Sequence, residues 1–69
     1  MFIITRTKGQ AIRIQLDPKV DPATPVGEVF ADGAIEVMVA QIQESYIRLG
    51  VTVPLCFAIV RTDYNEVLP

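Results

Sequence analysis

The run Cys56-Phe57-Ala58-Ile59-Val60, closed by Arg61, constrains the fold of this chain more than any other segment. A strand sends alternate side chains to opposite faces, so Phe57 and Ile59 share one face while Cys56, Ala58 and Val60 share the other. Neither face suits water, and a strand buried on both sides needs cover from two directions. The chain has only 69 residues to supply it. A domain of this size buries about 60% of the surface its unfolded form exposes, which leaves stability marginal. A single cysteine excludes an intramolecular disulfide, and the absence of histidine excludes a Cys/His zinc site of the usual spacing. The missing layer is therefore expected from a second copy of the chain, with Cys56 as a small buried hydrophobe.

The remaining segments are mostly strands. Phe2-Ile3-Ile4-Thr5-Arg6 reads as the first, and Lys8-Gly9-Gln10 carries a turn signal. From Ala11 to Leu16, Ile12, Ile14 and Leu16 alternate with Arg13 and Gln15, a period of two that predicts a hairpin with the first strand. Asp17-Pro18 and Asp21-Pro22 stop that ladder, because proline lacks the donor a central strand requires. Val26, Val29, Phe30 and Gly33 then fall at helical spacing, with Thr24 placed to cap, Pro25 at the first helical position and Gly33 past the last turn. Asp32-Gly33 also reads as a hairpin turn. The spacing predicts a short helix over 25–32.

Alternation returns from Ile35, with Val37 and Val39 opposed to Glu36, Met38 and Ala40, and continues to about Ile42. Residues 46–52 place Ile47, Leu49 and Val51 inward and Tyr46, Arg48 and Gly50 outward, and Val53-Pro54-Leu55 interrupts before the last strand at 56–61. Asp63-Tyr64-Asn65-Glu66 has the form of a helix start, with room for one turn at most.

A net charge of −2 argues against a protein that coats nucleic acid through bulk positive charge. The charges are unevenly placed. Between Asp17 and Glu44 six acids face one lysine, a local balance of −5, while the flanking segments hold five cations against two acids, a balance of +3. The two strands at the ends of the chain both finish in an arginine, Arg6 and Arg61, and these are expected to meet an anion. The likeliest chemistry for it is a nucleic-acid backbone. Catalysis has no support: there is no histidine, no glycine-rich phosphate loop and no nucleophile spaced to a base. Asp17, Asp21 and Glu28 read as a solvated acidic loop, so neither metal nor cofactor is expected. The opening apolar run is too short for a secretory signal, and no run approaches the roughly 20 residues needed to cross a membrane, so a cytoplasmic protein is expected.

The segments resemble, in order, those of the carbon storage regulator family (CsrA/RsmA) of bacterial translational regulators. Phe2-Ile3-Ile4-Thr5-Arg6 with Gly9 looks like the family's apolar-Thr-Arg start, and Tyr46-Ile47-Arg48-Leu49-Gly50-Val51 like its Arg-Ile-Gly-Val strand. Pro54 and Phe57-Ala58-Ile59-Val60-Arg61 look like its proline and final strand. The extra length between Leu16 and Ile35, about residues 17–34, is similar to the RsmN-type branch, in which a helix is inserted after the second strand. The resemblance implies a mainly β, five-stranded antiparallel, barrel-like domain spanning 1–69, with that inserted helix, in an intertwined homodimer. It also implies two equivalent surfaces, built from first and last strands, that bind GGA-containing RNA loops through Ile4, Thr5, Arg6, Ile59, Val60 and Arg61. Of these, Arg61 corresponds to the family's principal RNA contact, whereas the side chains of Ile4, Ile59 and Val60 read first as core.

The chain departs from the family in having Thr7 and Leu55 where cations are usual, and Glu44-Ser45-Tyr46 for a Gly-Asn-Gln turn. Two functions follow. The first is a sequence-specific RNA-binding regulator of translation, with neither DNA nor membrane as partner. The second, motivated by the acidic insert and the missing cations, is a protein-interaction module that pairs with a related regulator and binds RNA weakly.

Overall fold

The computed structural model describes residues 1–63. Its elements run β1 (Phe2–Arg6), β2 (Gln10–Leu16), α1 (Val26–Val29), β3 (Glu36–Ile42), β4 (Ile47–Thr52) and β5 (Phe57–Asp63). All strand pairings are antiparallel, and they form two sheets: β1-β4-β3, and a two-stranded ribbon of β2 with β5. The hairpin expected between the first two strands does not form. Its turn does: the Gln10 N–H donates to the Thr7 carbonyl at 3.0 Å, and Gly9 takes φ 86°, a left-handed value that glycine adopts at no steric cost. The strands on either side nevertheless pair with different partners, because each carries an apolar stripe, and stacking two stripes face to face removes more apolar surface from water than laying them edge to edge. The single barrel-like sheet expected from the sequence is accordingly two layers.

Register decides what each layer buries, since directly opposed residues share a face. In the larger sheet Phe2, Ile4 and Arg6 lie opposite Val51, Leu49 and Ile47, which in turn face Val37, Val39 and Ile42. Ile42 belongs to this set only because β3 bulges at Ala40, between Val39 and Gln41, where an extra residue resets the alternation. In the ribbon the pairs Ile12–Arg61, Ile14–Ile59 and Leu16–Phe57 line one face. That face covers the β1–β4 half of the sheet. Ile4 is 2% exposed, Val51 is fully buried, and Leu49 and Ile47 are half-buried. Beyond it the sheet is bare, with all seven residues of β3 exposed, Val39 at 59% and Ile42 at 72%.

The segment between β2 and β3 folds on itself through side chains that accept from nearby backbone. Asp17 Oδ1 accepts from the Lys19 N–H and Asp21 Oδ1 from the Ala23 N–H, both at 2.9 Å. These turns account for two of the acids read as a solvated loop. The helical turn α1 covers four residues where 25–32 was expected. Thr24 does not cap it, because its hydroxyl donates to the Asp21 carbonyl at 2.6 Å, and Gly27 weakens the interior. The turn is held by packing: Val29 is buried, and the Phe30 ring lies 5.3 Å from that of Phe57.

Asp32 Oδ2 accepts from the Leu55 N–H at 3.3 Å, which fixes the insert against the entry to β5. Cys56, expected within the last strand, sits half-buried in the turn before it, and its carbonyl accepts from the Asp17 N–H at 2.8 Å. Asp63 ends β5, and the helical turn expected after it lies outside the described residues. No helix of the described residues is long and apolar enough to cross a membrane.

Val51 has apolar neighbours on both flanking strands, Phe2 and Val37, and no exposed surface. Val51→Ala is expected to cost about 2 kcal/mol through lost burial and the cavity left behind, whereas Val39→Ala costs well under 1 kcal/mol because its side chain is already in water. Urea titration of both variants measures the difference.

Candidate nucleic-acid interface

Each sheet ends in a strand that is paired on one side only, and two of these strands come together. β1 pairs with β4 alone and β5 with β2 alone. An antiparallel strand alternates the direction of its main-chain groups, so about half of the N–H and C=O groups of β1 and β5 point away from their ladders. A cleft of about 500 Å3 opens between them, lined by Phe2, Ile3 and Ile4 of β1 and by Phe57, Ala58, Ile59 and Arg61 of β5, with Asp17 and Val53 at its margin. Its side chains are mostly apolar, its lining is shared about equally between polar and apolar surface, and its charged groups are Arg61 and Asp17.

Arg61 occupies an unusual place. By register it belongs to the apolar face of the ribbon, opposite Ile12, yet its side chain is exposed. No hydrogen bond or ion pair holds its guanidinium among the described residues. The five donors of its planar fork are therefore available to a ligand.

Arg6 is differently employed. Its Nε donates to the Thr5 carbonyl at 2.7 Å and its Nη1 to the Ala11 carbonyl at 3.2 Å. The second bond links the larger sheet to the ribbon across the Thr7–Gly9 turn. Arg6 lines a separate cleft of about 370 Å3 with Lys8, Gln10, Ile12, Gln43 and Tyr46, among others. The two arginines are thus neighbours across a divide and do not share a cleft.

Of the residues expected at the interface, the structure brings Ile4, Ile59 and Arg61 into one cleft. Ile4 contributes its main chain, since its side chain is core, and Ile59 is half-buried. Thr5 is exposed and opposite Arg48, on the face of β1 that carries Ile3. Val60 is 37% exposed and opposite Arg13, on the ribbon face away from Ile59. Neither side chain lines the cleft.

Phe2, Ile3 and Phe57 line it and were not singled out. The signal for Phe2 was its position: an aromatic at the outer end of an apolar edge strand, here 61% exposed, is more than core requires. No family model matches the chain, and no curated protein or solved structure matches it.

The two arginines make opposite stability expectations. Arg6→Ala removes a charged donor that joins two layers and is expected to cost about 1 to 2 kcal/mol, while Arg61→Ala stays within about 0.5 kcal/mol of the parent. Equal shifts in the thermal unfolding of the two variants would contradict the assignment.

Proposed function

We propose that this protein is an RNA-binding post-transcriptional regulator of the carbon storage regulator type, and that the β1–β5 cleft takes a GGA-containing loop of a messenger leader or small RNA. The observation that carries this reading is Arg61, a guanidinium with no partner among the described residues, lining a cleft between two strands that are each paired on one side only.

Sequence-specific RNA recognition targets unstacked bases in loops and ends, whose edges are free to hydrogen-bond. Exposed strand edges offer main-chain N–H and C=O groups at fixed spacing, which suits base edges better than mobile side chains do. The apolar walls accept the base faces, and Arg61 holds a phosphate in its fork or stacks on a base. Occupancy close to a ribosome-binding site blocks or alters initiation. With Thr7 and Leu55 in place of cations, fewer phosphates are neutralised, and the salt dependence of binding is correspondingly shallow.

The active form in this reading is a homodimer with one cleft per protomer, working in the cytoplasm. The support is the bare half of the sheet, where Val37, Val39 and Ile42 are all more than half exposed on the face that carries the core. A second copy stacked there covers both stripes at once by two-fold symmetry. The same surface supports the second reading, a mixed dimer with a related regulator that lowers RNA binding.

RNA binding is tested with a GGA hairpin and a GCA control at moderate salt. The GGA hairpin is expected to bind more tightly, and Arg61→Ala to weaken it by about 1.5 to 3 kcal/mol, the range for charge-assisted hydrogen bonds, with the fold intact. Equal affinities for the two hairpins would remove the specific claim. For assembly, sedimentation should find the parent dimeric and Val39→Asp monomeric; a monomeric parent would sink the dimer.

A further inference from the structure

The second cleft has its own recognition chemistry, which the reading above leaves unused. Arg6 and Lys8 bring two cations, Glu44 one anion, Gln10 and Gln43 side-chain amides, and Tyr46 an aromatic ring. Two contacts fix parts of this set. The Gln43 N–H donates to the Tyr46 carbonyl at 2.9 Å, which closes the β3–β4 turn and sets the backbone that carries the ring. Gln10 Oε1 accepts from the Thr7 N–H at 3.0 Å, so the amide oxygen is engaged while its NH2 has no partner among the described residues.

Tyr46 is half-buried, and Arg48, which does not line the cleft, places its Cζ 5.7 Å from the ring centroid. A cation over one face of an aromatic ring is an attractive arrangement, and it steadies the ring as a stacking surface. Arg6 spends its Nε and one Nη1 hydrogen on carbonyls, and among the described residues no further partner engages its other three N–H donors, both on Nη2 among them.

The two clefts adjoin. Ile12, which lines the second, is the cross-strand partner of Arg61, which lines the first, and such partners are ~5 Å apart at Cβ. Along β1, Ile4 and Arg6 stand two residues apart on one face, one in each cleft.

We infer that the second cleft is a subsite for one nucleotide flanking the loop held between β1 and β5, with its base on Tyr46 and its phosphate on Lys8 and the free edge of Arg6. This rests on the RNA reading of the first cleft and extends it to the β3–β4 turn. Aromatic stacking beside cations is the combination by which proteins hold unpaired nucleotides. Glu44 opposes a second phosphate and favours a base edge rich in donors, such as the amino side of a purine. Discrimination in this subsite therefore falls on the base, with the phosphate contact serving to position it.

The test uses the full chain and two single-stranded RNAs, a minimal GGA oligonucleotide and one extended by two nucleotides on each side, with 2-aminopurine placed in turn at each flanking position. The parent is expected to bind the extended RNA about tenfold more tightly and to quench 2-aminopurine at one flanking position. Tyr46→Leu should abolish the quench and the tenfold advantage while leaving the minimal RNA unaffected. Lys8→Gln, on an exposed turn where folding is not at issue, should lower the salt slope for the extended RNA by about 0.7, one single-strand phosphate contact, and leave the slope for the minimal RNA unchanged. Equal affinity for the two RNAs, or losses shared equally between them, overturns the subsite and leaves the first cleft standing. Failure of the parent to bind either RNA overturns both.

Discussion

The structure depends on an unequal match between two apolar faces. A ribbon of two strands cannot cover a sheet of three, so Ile4 and Val51 are buried and Leu49 half-buried while Val37, Val39 and Ile42 stay in water. Both open surfaces follow from this geometry. Where the ribbon stops against β1, two unpaired edges enclose a cleft; where it fails to reach β3, an apolar stripe stays open. A third strand in the ribbon would have closed the face and occupied the β5 edge at once.

The seam between the layers is held by few polar contacts, and they are local. Arg6 bonds the Ala11 carbonyl five residues away, and Gly9 makes the reversal between them possible by taking a positive φ. This economy has a functional side. A guanidinium spent on joining the layers is only partly available to a ligand, whereas Arg61, at the same level of the neighbouring strand, carries no structural duty among the described residues. Two arginines in similar sequence contexts are thus differently engaged: Arg6 bonds two carbonyls, and Arg61 makes no such bond among the described residues.

Strand positions were legible in the sequence because alternation is a local property: all five strands fall within one or two residues of the expected bounds. Pairing was not, since the Lys8-Gly9-Gln10 signal specifies a reversal of direction and is silent on which edge the next strand will meet. The bulge at Ala40 escaped notice for the same reason, as it appears only when β3 is laid against β4. The helix over 25–32 shortened to one turn because Thr24 was already committed to Asp21, a contact that spacing rules do not reveal. That the first and last strands each carry an arginine near their ends was legible, but that Arg6 bonds nearby carbonyls and lines a different cleft from Arg61 needed coordinates.

The bulge at Ala40 has a consequence for solubility. β3 is an outer strand, and a long, regular outer strand with apolar side chains templates the addition of further strands without limit. An extra residue twists the strand locally and interrupts its row of main-chain groups, so a foreign strand finds matching partners for only part of its length. The kink thereby limits strand addition along the β3 edge, at the expense of a single alanine.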